Sequence, residues 1–471
     1  MDKFFFSLML LGAASNGSQM PFWEYSNQFD LMPRTSGYVT LLDAGMESDA
    51  SREVQFNCGT TLALRGDAFD RAAFVPGQVY AGIKWKPLSL DLGLKNPELL
   101  YFGADNSLGS LSSTSGNLIM SGNARNMPGY TITLDPLGVP FTNNHLQIYG
   151  KYGDYLMTDE RVEGRLLCHN TQIFLRMNAG RFTFGLGLDH WAQWEGNGFA
   201  NYLRVITGSH GGADSGFGDR INVIGNQLGA EKFFLNYRGD DWEIEIRHDI
   251  PYDDKSGMRF TNFPDGMNYL VFSFKDKDRW MSDVVFEYDY TMYQSGPIHE
   301  SEVDENGNHV PWQKGMNYFG MDNYFNNTAQ MISGWTHHAM TIGTPLFYPK
   351  GTREGTWDRN SICQGVENNR IKAVHLGISG KIARLLPYRL MATYSRCFGT
   401  YSASYIGESP ASKPWGSVTE SSLKQLSLGL NFEIPLLGKN LVILPGAYLD
   451  RGEVLPNSFG ATLGLKYLID R

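Results

Sequence analysis

The sequence predicts an all-β protein: a transmembrane antiparallel β-barrel of about eighteen strands. Three observations predict it. Period-2 alternation of apolar and polar residues recurs from end to end, tight turns alternate with long connections, and no apolar run is long enough for a membrane helix.

The alternation is read directly from the residues. Val54, Phe56, Cys58, Thr60, Leu62 and Leu64 share one face, and Gln55, Asn57, Gly59, Thr61, Ala63 and Arg65 the other. Val79, Ala81, Ile83 and Trp85 oppose Tyr80, Gly82, Lys84 and Lys86, and after a turn at Pro87-Leu88 the pattern resumes with Leu90, Leu92 and Leu94. Ile173, Leu175 and Met177 turn at Ala179-Gly180 into Phe182, Phe184, Leu186 and Leu188. Segments around Trp242–Arg247, Val284–Thr291, Leu426–Ile434 and Phe459–Ile469 repeat the design. One apolar and one polar face suits a sheet with lipid on one side and a hydrated lumen on the other.

Connector lengths give the second argument. Tight turns fall at Pro87–Ser89, Ala179-Gly180, Gly239–Asp241, Lys275–Arg279 and Leu436–Lys439, and long segments at Trp194–Gln227, Asp249–Asn268, Tyr293–Trp335 and Phe398–Ser422. Short periplasmic turns and long external loops are the pattern of outer-membrane barrels. Counting directions from the last strand puts the C-terminus on the periplasmic side. The count fails between Met292 and Arg370, which makes His337–Gly343 a candidate loop or plug element. The Gly-, Ser- and Asn-rich segment Asn96–Gly129 is a second candidate for folding into the lumen.

Composition agrees. Charged residues make up 19% of the 471 residues, aromatics 13%, and there are 53 glycines. Mean hydropathy is -0.30. A net charge of -9 with no Lys/Arg block excludes a nucleic-acid partner, which needs a basic face. Cys58, Cys168, Cys363 and Cys397 form no CxxC pair, so neither a zinc site nor a disulfide scaffold is expected, although one bridge such as Cys363–Cys397 suits an oxidising compartment. Lys3, the apolar run Phe4–Leu11 and the small residues Gly12–Ser15 read as a signal peptide, giving a leader over 1–15 and a barrel over 16–471.

Several short motifs, spread from Pro21 to the C-terminus, resemble the Wzi-type capsule-assembly family. They are Pro21–Gln28, Leu111–Asn117 leading to Ser121–Arg125, Gly187–Trp194, Asp322–Asn326, Gly343–Phe347 and Asn368-Asn369-Arg370. The resemblance implies an eighteen-stranded barrel of the outer membrane, crossing it many times, with its lumen blocked by helical or loop elements. It also implies a lectin-like role: binding capsular or other surface polysaccharide and attaching it to the cell. The alternative is a diffusion channel or transporter for small solutes. Expected partners are the polysaccharide, outer-membrane lipids and the barrel-assembly machinery, with the protein a monomer and no cofactor or metal. The chain ends Leu468-Ile469-Asp470-Arg471 rather than in the terminal aromatic common to many barrels.

Within these motifs Asp189, Trp191, Gln193 and Trp194 are the candidate carbohydrate-binding residues, because sugars stack on aromatic faces while carboxylates and amides take their hydroxyls. An aromatic girdle at the rim would use the same residues. Asn123 and Arg125 are candidate plug contacts, Arg125 being equally suited to an acidic polymer. Asp304, Asn306 and Asn308 imitate a calcium loop but lack its Gly and Glu spacing, so a hairpin turn at Asn306-Gly307 is the reading. His337-His338 and Asp189-His190 stand without any hydrolase motif, and neighbours on a strand point to opposite faces. No enzyme is expected.

Overall fold

Alternating segments satisfy their backbone groups only by pairing at both edges, and in lipid that requires a closed sheet. The computed structural model describes residues 2–97, 106–208, 224–253, 258, 260, 262–294, 323–326, 331–407, 420–436 and 440–470. Eighteen strands form the wall. They are β1 (Lys3–Ser15), β2 (Gly37–Glu47), β3 (Val54–Gly66), β4 (Ala73–Trp85), β5 (Leu88–Leu94) and β6 (Gly129–Gly138). Then come β7 (Leu146–Leu156), β8 (Leu167–Ala179), β9 (Phe182–Trp194), β10 (Asn226–Arg238), β11 (Trp242–Tyr252) and β12 (Gly266–Phe274). The last six are β13 (Asp283–Tyr290), β14 (Ile371–Ile382), β15 (Leu386–Cys397), β16 (Leu423–Phe432), β17 (Leu441–Gly452) and β18 (Ser458–Asp470). Each pairs antiparallel with the next, and β18 returns to β1, with Leu465 opposite Leu10 and Ile469 opposite Phe6.

The first strand coincides with the segment that the sequence reads as a leader. In the structure Lys3–Ala13 pairs with β2 on one side and Phe5–Ser15 with β18 on the other. Without it the wall has seventeen strands and two open edges, which lipid does not tolerate. The segment reads as a leader because both of its faces are apolar. Leu8 and Leu10 face outward, while Met9 packs inward against Leu31, Val39, Leu41, Ala63 and Val75. All four cysteines, Cys363 and Cys397 included, are free in the structure.

Outside, Leu92, Ile173, Leu186, Phe459 and Leu463 are more than half exposed and belong to an apolar band. Such a surface is stable in hydrocarbon and costly in water. The turns at Lys86-Pro87, Gly180-Arg181 and Gly239–Asp241 lie at the end that holds both termini, with Gly180 at φ +62° and no atom close enough to crowd a side chain. The opposite, outer end carries the long connections. Among the described residues, three of them fold inward: Asn16–Ser36 with the single-turn helix α1 (Phe22–Tyr25), the segment Asn106–Pro128, and the connection that holds Tyr324, Phe325 and Met331–Arg370. His337 belongs to this plug rather than the wall, in a two-strand hairpin of Thr336–His337 with Met340–Thr341.

Candidate functional site

A barrel lumen is ordinarily polar, so an apolar core within one needs a source of apolar side chains other than the wall. The inward connections supply it. Phe22, Trp23, Leu118, Ile119, Phe325, Trp335, Phe347 and Tyr348 form one buried cluster, each no more than 2–3% exposed. Phe325 and Phe347 pack edge to face at 4.6 Å, and Phe22 and Trp23 at 4.9 Å. The Trp335 indole donates to the Ile119 carbonyl at 2.8 Å, tying two connections together.

Charge clasps fix this plug to the wall. Asp30, from the first connection, is contacted by Arg65 of β3 at 3.1 Å, Arg125 at 2.8 Å and Arg359 at 3.2 Å. Arg359 also reaches Asp67 at 2.8 Å. Burial raises the Asp30 carboxyl, but the three guanidiniums overwhelm it and hold the group well below the usual carboxylate range. One carboxylate therefore joins three inward connections to the wall.

A second clasp uses hydroxyls. Glu287 of β13 accepts the Ser112 and Thr114 hydroxyls at 2.5 and 2.7 Å and the Ser113 amide and hydroxyl at 2.5 and 2.6 Å. Small hydroxyl residues in a row allow the backbone to lie close enough for all of these. Asn117 follows, donating to Asp189 of β9 at 3.0 Å.

The residues singled out in the sequence are thereby separated. Asp189 is fully buried, holding Asn117 and Asn170 and standing 3.9 Å from Lys232. Trp191 is 3% exposed and faces the lumen, stacked on Tyr155 and edge-on to Trp335. Gln193 donates to the Gly334 carbonyl at 3.3 Å. Trp194 points the other way, through the outer face of the wall, and stacks at 5.4 Å on Tyr202 of helix α2 (Phe199–Thr207). Parity along the strand splits the two tryptophans, so the four do not form one open sugar platform. Asn123 donates to the Thr341 carbonyl at 3.0 Å, and Arg125 bonds Asp30.

His337 and His338 do meet, contrary to strand parity, because His338 has φ +49° and leaves the strand. Both rings reach the Thr158 hydroxyl, at 3.2 and 3.1 Å. Burial pushes both imidazoles down, His338 to about 3, so the pair is neutral at pH 7. The Asp304–Asn308 segment lies outside the described residues, as does Asp322 of the quoted Asp322–Asn326 motif.

Beneath the plug, toward the turn end, the described residues leave space in the lumen. Two adjoining cavities of about 400 and 390 Å³ share Gln28, Ser110 and Arg389, one reaching Asn27 and Met391 and the other Glu24, Tyr388 and Glu433.

No sequence-family model matches the chain, and no curated relative matches it. Its structure is similar to that of Wzi from Escherichia coli, an outer-membrane protein involved in group 1 capsule assembly and described as a carbohydrate-binding β-barrel. The TM-score is 0.52 at 10% identity, covering 98% of this chain and 83% of that one. It is also similar to the outer-membrane protein opdK from Pseudomonas aeruginosa (TM-score 0.48, 10% identity, 100% and 99% covered) and to OccK2 (OpdF) from the same organism, solved with glucuronate (TM-score 0.48, 9% identity, 100% and 98% covered). The likeness is one of fold. With the apolar outer band, the likeness to the fold of Wzi makes this chain a multi-pass barrel of the outer membrane.

Proposed function

We propose that the protein binds capsular or other surface polysaccharide at its outer end and holds it to the cell. The filled lumen carries this reading: a barrel whose outer half is occupied by a dry aromatic cluster and buried ion clasps is a scaffold rather than a passage. The carbohydrate binding described for Wzi, on a similar fold, supports it. The external face of the plug adds suitable chemistry. Lys350, Arg353, Thr356, Asn360 and Ser361 are exposed around the strap that Arg359 pins to Asp67, offering cations and hydroxyls to an acidic or neutral glycan. Binding alone asks for no bond to be made or broken, and requires no cofactor.

The competing reading is a channel, favoured by the open cavities below the plug. The deciding experiment measures polysaccharide in cells and medium for a deletion strain and its complemented control. Attachment predicts normal synthesis with polymer shed into the medium. Unchanged cell-bound polymer, together with steady large currents from the pure protein in planar bilayers, refutes attachment and establishes the channel.

A further inference from the structure

The outer face of a membrane barrel should be apolar at the depth of the acyl chains, yet one stretch of this wall carries a buried polar chain. On β8 the Thr171 hydroxyl lies 2.8 Å from Nε2 of His169, and Nδ1 of His169 lies 2.8 Å from Oδ1 of Asp154 on neighbouring β7. Residues i and i+2 of a strand share a face, and parity puts all three on the outside: their inward neighbours Asn170 and Tyr155 meet the lumen residues Asp189 and Trp191. His169 is wholly buried, whereas Thr171 is partly exposed. We propose that Thr171, His169 and Asp154 form an acyl-ester hydrolysing site at the lipid face of the barrel, directed at the acyl ester of a membrane lipid.

The hydrogen bonds fix the protonation pattern. A carboxylate accepts only, so Nδ1 of His169 carries the proton and donates to Asp154, leaving the Nε2 lone pair to accept from the Thr171 hydroxyl. That is the orientation an activated hydroxyl nucleophile needs. Asp154 is itself held by the hydroxyls of Tyr130 and Tyr202, the latter at 2.6 Å, and the His169 ring is packed edge-on by Tyr152 at 4.9 Å and Tyr202 at 5.7 Å. Seating α2 accounts for Tyr202, Tyr152 and Asp154. It does not account for Thr171, whose hydroxyl has His169 as its hydrogen-bond partner among the described residues.

Position supplies the substrate. Thr171 lies four residues into β8 from its outer end, so on the order of 10 Å below the rim for a tilted strand. Directly below it on the same face come Ile173, Leu175, Leu186 and Ile148, all exposed, an apolar track for a chain whose ester sits level with Thr171. Helix α2 covers the site from the rim: Val205 is buried against the wall with Trp194, while Phe199 and Leu203 turn outward to lipid.

The reaction balances without a co-reactant other than water. The Thr171 oxygen attacks the ester carbonyl as its proton passes to Nε2 of His169. The bond to the lipid alcohol breaks, and that proton goes to the departing oxygen. Water then attacks acyl-Thr171, again losing its proton through His169, and a fatty acid leaves as the hydroxyl is restored. Thr171 and His169 are catalytic residues here, and Asp154 is a positioning residue.

The test uses the full chain in detergent, with 4-nitrophenyl butyrate, mixed phospholipid micelles and lipopolysaccharide micelles as three probes, alongside covalent labelling by a fluorophosphonate. Fatty acid released from phospholipid or from lipopolysaccharide tells the two lipid sources apart. Thr171→Ala should lose labelling and on the order of 100-fold or more in turnover, while Thr171→Ser stays within about tenfold of the parent. Asp154→Asn should lower kcat with KM unchanged, and Asp154→Glu should recover part of the loss. Heat-modifiable mobility on gels confirms that each variant keeps its barrel. Absence of both labelling and ester cleavage, or cleavage that Thr171→Ala leaves intact, overturns the proposal.

Discussion

The Asp30 clasp makes a quantitative prediction about the plug. Replacing Asp30 with alanine removes a carboxylate whose side chain is 1% exposed and which faces three arginines. Arg359 keeps Asp67 at 2.8 Å, but Arg65, itself wholly buried, loses its carboxylate partner and keeps the backbone carbonyl of residue 30 and the distant Asp70 at 4.0 Å. Removing one partner of a buried pair costs about 3–5 kcal/mol, because the remaining charge is neither solvated nor compensated. That corresponds to roughly 10²- to 4 × 10³-fold in the equilibrium between seated and displaced plug. The pairs within the wall are untouched, so the cost falls on the plug and not on barrel closure. Planar-bilayer currents are the direct assay, with gel heat-modifiability as the control for the wall. Asp30→Ala should show channel openings that the parent lacks, and Asp30→Asn an intermediate frequency. A folded Asp30→Ala barrel that stays as silent as the parent and melts at the same temperature refutes the reasoning.

Other outcomes follow from the same structure. Arg125→Ala should cost only about 1 kcal/mol in thermal stability, since Arg125 is itself partly exposed and Asp30 keeps Arg65 at 3.1 Å and Arg359 at 3.2 Å. Lowering the pH should loosen the clasp. The folded-state value of Asp30 is depressed, so its stabilisation is present above the ordinary carboxylate value of about 4 and is lost as pH falls through the lower folded value. Currents or proteolysis of the plug should therefore increase below about pH 4, and a flat response would remove Asp30 from the account. Gly377→Ala on β14 would bring a Cβ within 2.0 Å of the Leu111 carbonyl, so melting should fall by about 1–3 kcal/mol and the plug should shift. Glu287→Ala, stripping four hydrogen bonds from Ser112–Thr114, should open the lumen to thiol reagents aimed at a cysteine introduced at Ser113.

The wall was legible in the sequence because its information is local. Leu426, Leu428, Leu430 and Phe432 alternate within a few residues, and Ala179-Gly180 announces a turn that the structure places one residue later. The first strand was illegible for a local reason as well. Apolar residues on both faces of Phe4–Leu11 erase the alternation, and the inner face at Met9 meets Leu31 of the 16–36 connection together with Val39, Leu41, Ala63 and Val75 of the wall. A reading confined to one segment has no access to that partner.

The candidate site shows the same division more sharply. Aromatic and carboxylate residues at Asp189–Trp194 suggest a ligand platform by composition, but parity alone sends Trp191 and Trp194 to opposite sides of the wall. What each then meets is set by distant segments, Trp335 inside and Tyr202 outside. The motif Leu111–Asn117 is likewise uninformative until Glu287, 174 residues from Ser113, supplies its acceptor. A carboxylate turned into a dry lumen is unfavourable unless something satisfies it, and Glu287 and Asp189 are each satisfied by a connection from the outer end, as Arg65 of the wall is by Asp30 of the first connection. The inward carboxylates of the wall and the hydroxyls, amides and arginines of the connections thus depend on one another. A barrel of this sequence with its plug withdrawn would expose those carboxylates to a hydrated lumen, where they are stable too. The closed state is therefore held by the difference between two satisfied arrangements, which is why a single clasp residue is expected to decide between scaffold and passage.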